Sequence, residues 1–236
     1  MKQIDELVLI PEEPGIGLEN ESSFHSSIKK WYLVPGDRLE VKVDGFIIDI
    51  VRGDLLIEIQ TRNFAAIKKK LLTLVKSHYV QLIYPVPKEK WITRLAASGD
   101  EVLSRRKSPK SGSVYDLFDE LIRIPELINE EKFTVEVLMV RQEETRCEDG
   151  KGSWRRKGVS IKDKELIDVV ERIKFNDKSD FLSLFPHDLS QPFSNKSLAR
   201  TMGVPVRKVQ KMTYCLRKMG AINEVGRKGN ELLFII

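Results

Sequence analysis

The chain is poor in cysteine: only Cys147 and Cys215 occur in 236 residues. They stand far apart, with no histidine pattern nearby, so neither a disulfide framework nor a zinc site is indicated. No apolar run approaches the ~20 residues that a membrane-spanning helix needs. The opening stretch "MKQIDELVLIPEEPG" is too acidic and too weakly apolar for a secretory signal. Internal repeats and low-complexity tracts are also lacking. These absences lead us to expect a soluble chain in a reducing cytoplasm, with no membrane partner.

What is present is ordinary in bulk and uneven in placement. Apolar residues make up 41% and charged residues 32%, which suits a folded globular protein. The length allows one large domain or two to three small ones. Net charge is +5, yet residues 187–236 alone hold nine Lys/Arg against three Asp/Glu, leaving the first 186 residues close to neutral. Such an asymmetry points to a C-terminal module that meets a polyanion; a merely solvated basic surface is the plainer alternative.

Along the chain, "ESSFHSSIKKWYLV" places Phe24, Ile28 and Trp31 at helical spacing and ends at "PG". "RLEVKVDGFIIDIVRG" and "DLLIEIQ" read as two strands of a hairpin turning at Gly53-Asp54. Asn63 is placed to cap a helix with Ile67, Leu71, Leu74 and Val75 on one face. "YVQLIYPVP" then reads as a buried strand stopped by its prolines. The order is α-β-β-α-β, with a right-handed parallel crossover at its end. We therefore expect an α/β domain over residues 1–95 and an α+β middle region over 96–185. In that region 96–112 is a loop, "FTVEVLMVRQEE" a strand and "KDKELIDVVERIKF" a helix. A third unit follows over 186–236. There Ser194 caps "NKSLARTM", "GVP" turns, Pro205 opens "VRKVQKMTYCLRKM", Gly220 ends it, and "AINEVG" and "ELLFII" form a hairpin. Helix, turn, longer helix and hairpin is the winged-helix arrangement.

The chemistry lies in "GFIIDIVRGDLLIEIQTRNF", where acids interrupt apolar strands. Burying a carboxylate without compensation is costly. Glu58 and Gln60 lie two apart and share a face, and pairing through the Gly53-Asp54 turn brings Asp49 beside them. Converging oxygen ligands of this kind suit Mg²⁺, with Mn²⁺ as a substitute. An ion pair of Asp49 with Arg52 or Arg62, and an edge position for Glu58, is the plainer reading. His25 and His78 have no metal spacing, and Gln81 packs or lines the site.

With Asp49 followed by "EIQ" at 58–60 in an α-β-β-α-β order, residues 20–90 resemble the PD-(D/E)xK (restriction-endonuclease-like) nuclease superfamily in a D…ExQ variant. The resemblance implies Asp49 and Glu58 as metal ligands, with Glu21 as a third acid on the preceding helix. It departs from the superfamily pattern at Ile48, where proline is usual, and at Gln60, where lysine is usual. Gln60 hydrogen-bonds the attacking water but carries no charge, and Lys68 on the next helix is the first candidate to supply it.

In the C-terminal module, Arg207, Lys208, Gln210, Lys211 and Arg217 are placed to face DNA, and Arg227 and Lys228 to follow the backbone from the wing. Trp154, Arg155 and Arg156, in "GSWRRKG", form a second candidate contact through stacking and phosphate pairing. Alternatively Trp154 closes the middle region's core.

Three functions follow. The first is a metal-dependent DNA endonuclease aimed by the winged helix, with a homodimer left open as the means to cut both strands. The second is a DNA-binding regulatory or scaffold protein whose nuclease-like domain is inactive. RNA as substrate ranks last.

Overall fold

Phe24, Ile28 and Tyr32 recur at four-residue intervals, and this stripe makes Ser23–Tyr32 a helix, α1, with one buried face. Tyr32 takes the inward place expected for Trp31, which is 42% exposed. The structure, a computed structural model, describes residues 22–236.

The run expected as a single strand before Gly53 divides at Asp44-Gly45, where both residues take positive φ, 48° and 84°. It forms Arg38–Val43 (β1) and Phe46–Arg52 (β2), and Leu55–Ile59 (β3) follows. These three are antiparallel neighbours. Helix Phe64–Leu74 (α2) buries Phe64, Leu71 and Leu74 and crosses to Tyr79–Leu95 (β4), which lies parallel to β3. Asn63 does not cap α2 with its side chain; the Glu120 carboxylate accepts from Phe64 N–H at 3.1 Å instead.

β4 runs through its prolines rather than stopping at them. Ile83 O accepts from Gln60 N–H, so odd-numbered positions of β4 direct their backbone groups toward β3. β3 ends at Ile59, opposite Ile83, so Pro85 and Pro87 fall where no ladder donor is called for.

The middle segment continues the same sheet. Val102–Lys107 (β5), expected as loop, pairs with the outer half of β4. Two 3₁₀ turns, 114–117 and 125–129, flank a short helix Phe118–Leu121 (α3). Phe133–Cys147 (β6) lies parallel to β4, and Ser160–Phe175 (β7) lies antiparallel to β6. β7 corrects the helix expected at "KDKELIDVVERIKF". Leu166, Val169, Val170 and Ile173 have helical spacing, but two bulges in the β6–β7 register, between Leu166 and Asp168 and between Val169 and Glu171, produce it. Leu166 and Val169 pack toward α1, Val170 and Ile173 toward the opposite face.

The sheet order is β1-β2-β3-β4-β6-β7, with β5 beside β4. α1 covers Ile50, Ile57, Ile59, Ile83, Leu138 and Val140 on one face. α2 and α3 cover Ile48, Leu82, Val135 and Val137 on the other.

At the C-terminal end, Phe193–Ser194 (β8), Asn195–Met202 (α4), Val206–Met219 (α5), Asn223–Lys228 (β9) and Glu231–Ile235 (β10) follow the expected order. Ser194 caps α4 by accepting from Ser197 N–H at 3.3 Å, and Gly220 ends α5 in the left-handed region at φ 71°. β10 lies between β8 and β9. α5 packs on α3 and the flanking 3₁₀ turns, and Val209, Met212, Cys215 and Leu216 share a core cluster with Leu117, Phe118 and Ile128. Both cysteines are buried and free. Among the described residues, no helix is long and apolar enough to cross a membrane.

Because the apolar core runs without a break from the sheet into α5, we expect one cooperative unfolding transition for the whole chain. Thermal melts followed by tryptophan fluorescence and by far-ultraviolet circular dichroism should coincide. Two separated midpoints would show that the C-terminal module unfolds independently.

Candidate active site and basic surfaces

Asp49 and Glu58 are the next residues along β2 and β3 after the last ladder pair, Ile50 with Ile57. The ladder stops there because Asp49 intervenes: its Oδ2 accepts from Ile59 N–H at 2.8 Å, replacing a backbone acceptor. On the other side of β2, Glu40 should pair with Asp49 in the β1 register but takes φ 52° instead. Backbone irregularity on both flanks of one acid is the kind of local cost that a site retains.

The two carboxylates turn to opposite faces of the sheet, rather than converging on one face as the hairpin pairing predicts, and draw compensation from different helices. Asp49 Oδ2 lies 3.3 Å from His25 Nε2, and its Oδ1 lies 4.0 Å from Lys29 Nζ, both on α1. His25 Nε2 also lies 2.8 Å from Ile59 O, and Lys29, which is 7% exposed, forms a further ion pair with Glu40. Glu58 turns instead to α2, where Lys70 Nζ sits 2.5 Å from Glu58 Oε1 and 2.5 Å from Ile47 O. Oε1 lacks a well-directed hydrogen bond despite that close charge contact.

Burial acts to raise the Asp49 carboxyl, but the His25 contact, Ile59 N–H and Lys29 outweigh it and hold the group below the usual carboxylate range. Burial, and then the charge of Asp49, push Glu58 up to about 7 in spite of Lys70. Neighbouring carboxylates with divided protonation are a common mark of a functional site.

The remaining expected residues scatter. Gln60 shares its strand with Glu58, but its amide donates to Arg62 O at 2.5 Å and so serves the loop. Lys68 donates to Arg123 O at 3.2 Å, away from the acids. Lys70 holds the position beside Glu58 that had been expected for Lys68. Its signal was present, because Lys70 falls three after Ile67 and four before Leu74, on the margin of the buried stripe. His25 and Lys29 were missed for want of motif spacing. Glu21 lies outside the described residues. Gln81 is buried and donates to Tyr32 Oη at 2.7 Å and Glu136 Oε2 at 2.6 Å, so it packs in a polar network. His78 pairs with Asp44 at 3.0 Å. Among the described residues, no group of three or more His, Cys, Asp and Glu has metal-site geometry.

In the C-terminal module, three of the four α5 cations expected to face outward meet acids. Lys208 pairs with Asp116, Lys211 Nζ lies 2.6 Å from Asp119, and Arg217 lies 2.5 Å from Glu224. The first two arise because α5 rests on α3 and the adjoining 3₁₀ turn. The outer stripe is then Arg207, Gln210, Tyr214 and Lys218, with Arg227 and Lys228 exposed on β9. Trp154 is 83% exposed, so it closes no core, and Arg155 lies over its ring at 5.5 Å.

The raised Glu58 value has a thermodynamic sign. The unfolded chain loses this proton near its ordinary value of 4.5, the folded chain only near 7, so this group's share of stability falls as pH rises through that window. Glu58→Gln should remove that slope, adding roughly 2–3 kcal/mol relative to wild type near pH 8 and almost nothing near pH 4. Denaturant midpoints across pH measure this, and an unchanged slope contradicts it.

A family model described as a domain of unknown function (DUF8091) matches residues 22–176, the span from the α1 cap to the end of β7 that contains Asp49, Glu58 and Lys70. An uncharacterized protein of Treponema pallidum (strain Nichols) is 29% identical over 216 residues, covering 91% of this chain and 84% of its own. No solved structure matches. With well over half its length matched by that model, the chain belongs to the DUF8091 family.

Proposed function

We propose that the protein is a metal-dependent DNA endonuclease of PD-(D/E)xK type, carrying a C-terminal winged helix for DNA contact. The observation that carries the reading is the charge-coupled neighbours Asp49 and Glu58 where the β2–β3 ladder ends, with Lys70 beside Glu58. A helix, a hairpin, a second helix and a parallel strand around that pair support it, as does the α4–α5–hairpin order at the basic end.

Carboxylate oxygens suit a hard divalent cation, and holding one between Asp49 and Glu58 requires the two side chains, which turn to opposite faces of the sheet, to swing toward each other. Burial and the charge of its neighbour Asp49 raise Glu58 to about 7, and Glu58 Oε1 lacks a well-directed donor. Asp49 and Glu58 would hold Mg²⁺ or Mn²⁺, with Glu21 as a further ligand. When bound, the ion supplies Lewis-acid polarisation of the scissile phosphate and a more acidic water.

The protein's own residues do the rest. Lys70 brings to Glu58 the positive charge absent at Gln60, placed to stabilise charge that builds up on the phosphate oxygens. His25 and Ile59 N–H fix the Asp49 carboxylate in the orientation it holds. Gln60 holds the 60–63 loop through Arg62 O, and its role is to position that loop.

One observation favours a second reading, a DNA-binding regulatory protein without cleavage: Asp49 already has His25, Lys29 and Ile59 N–H as partners. Nicking of supercoiled plasmid and of branched DNA with Mg²⁺ or Mn²⁺ separates the two. Wild type should cut. Asp49→Ala and Glu58→Ala should lose at least about 100-fold, and Lys70→Ala about 10- to 100-fold. Duplex binding without cutting on any substrate favours the regulatory reading.

A further inference from the structure

Beyond Ile59 the sheet narrows to an arm made of β5, the outer halves of β4 and β6, and the start of β7. Register parity gives this arm two faces of different character. On the face away from α1, cations meet carboxylates: Arg105 pairs with Glu143, Lys107 and Arg141 with Glu89, and Arg141 with Asp168. Asp163 and Glu165 fall on that face too, through their pairing with Thr145 and Glu143.

The face toward α1 is different. It carries Lys90, Arg94, Arg106, Arg146 and Lys164 against only Glu144 and Glu148. Glu148 is taken by Arg94. Glu144, 2% exposed, is shared by Lys90 Nζ at 3.3 Å and Arg146 at 2.6 Å. Lys164 stands opposite Glu144 in the β6–β7 register, yet both oxygens of that acid are already engaged. The Lys164 ammonium has no hydrogen bond or ion pair among the described residues, although the side chain is half-buried. Burial first, with Lys90, Arg62 and Arg156 adding like charge against the pull of Glu144, lowers its pKa. A half-buried cation with cations around it has no bonded anion among the described residues.

The surroundings say where an anion bound there leads. Leu166, two residues after Lys164, donates from its N–H to Ser27 Oγ of α1 at 3.1 Å, and His25 on the same helix holds Asp49. Arg62 stands on the loop that follows Glu58 and Gln60. At the far end, Gly152 N–H donates to Gly158 O at 2.7 Å, and a Cβ at Gly152 would lie 1.9 Å from Val159 O, so only glycine closes this turn. The closed turn holds Trp154, Arg155 and Arg156 out to solvent.

We propose that the α1-side face of the arm, from Arg62 over Lys164 and Lys90 to the Trp154–Arg156 turn, binds the phosphate backbone of a nucleic-acid strand and leads it to Asp49 and Glu58. The path to the acids rests on the endonuclease reading; the binding surface does not. Four strands spaced about 4.8 Å apart span roughly 14 Å, about four nucleotide steps at the rise of one duplex strand. Trp154 adds an aromatic face on which a base or sugar stacks, which an acidic protein partner would not use.

Fluorescence anisotropy of labelled single-stranded and duplex oligonucleotides tests the surface, with EDTA present so that binding is read without cleavage. The full chain is compared with the double variant Lys164→Gln/Arg156→Gln and with Arg105→Gln/Lys107→Gln on the opposite face, each checked for an unchanged melting temperature. The α1-side variant should bind at least about 10-fold more weakly near 100 mM salt, with its log–log salt slope reduced by about two. The opposite-face variant should match wild type within about twofold. Equal binding by all three proteins overturns the proposal, as do equal losses in both variants. Absence of nucleic-acid binding by wild type also overturns it, leaving an acidic protein as the partner. Plasmid nicking by a wild type whose arm variants bind normally would sink this surface while sparing the endonuclease reading.

Discussion

Two carboxylates on neighbouring strands β2 and β3, turned to opposite faces of the sheet, set the terms for this end of the molecule. Neither can sit among buried isoleucines uncompensated, and each must avoid the other's charge. The chain answers with a helix on each side of the sheet. α1 brings His25 and Lys29 to Asp49, while α2 brings Lys70 to Glu58. Removing the cation from a buried ion pair strands the carboxylate and costs about 3–5 kcal/mol, so the seating of both helices depends on these contacts as well as on their apolar stripes. The interrupted ladder at Ile59 and the left-handed Glu40 are local consequences of the same demand.

Much of this was legible in the amino-acid sequence, and the exceptions have identifiable causes. The hairpin through Gly53-Asp54, the α2 stripe and the C-terminal helices were readable because each pairs a clear period with a turn or cap. β7 was misread because a bulged strand covered on both faces imitates a helical period. β4 was cut short because proline was treated as a stop, whereas a strand with no neighbour on one side tolerates it. Strand β1 was hidden by Asp44-Gly45, a tight turn inside one apparently continuous run.

At the site, Asp49 and Glu58 fall on neighbouring strands, but their carboxylates turn to opposite faces of the sheet, because strict alternation fails at Asp49, where the ladder is interrupted. The basic partners were harder. His25 and Lys29 belong to no spacing rule, Lys70 is marked only by its place beside the α2 stripe, and all three roles depend on how two helices rotate onto a sheet. Lys208 and Lys211 illustrate the converse. Their placement on α5 suggested contact with a partner outside the chain, but packing on α3 brings them to Asp116 and Asp119. Cationic character was therefore a poor guide to which face stays open, while the unmatched cations on the arm came from segments first read as linker and helix.

The account stands on a divalent ion held between the two opposed acids. A crystal structure from Mn²⁺-soaked crystals tests this directly through anomalous scattering. The account predicts a peak bridging Asp49 and Glu58, with Lys70 displaced from Oε1 or retained as a neighbour of the bound ion. Density showing His25 and Lys70 still closed on both acids, with no anomalous signal between them, would contradict it.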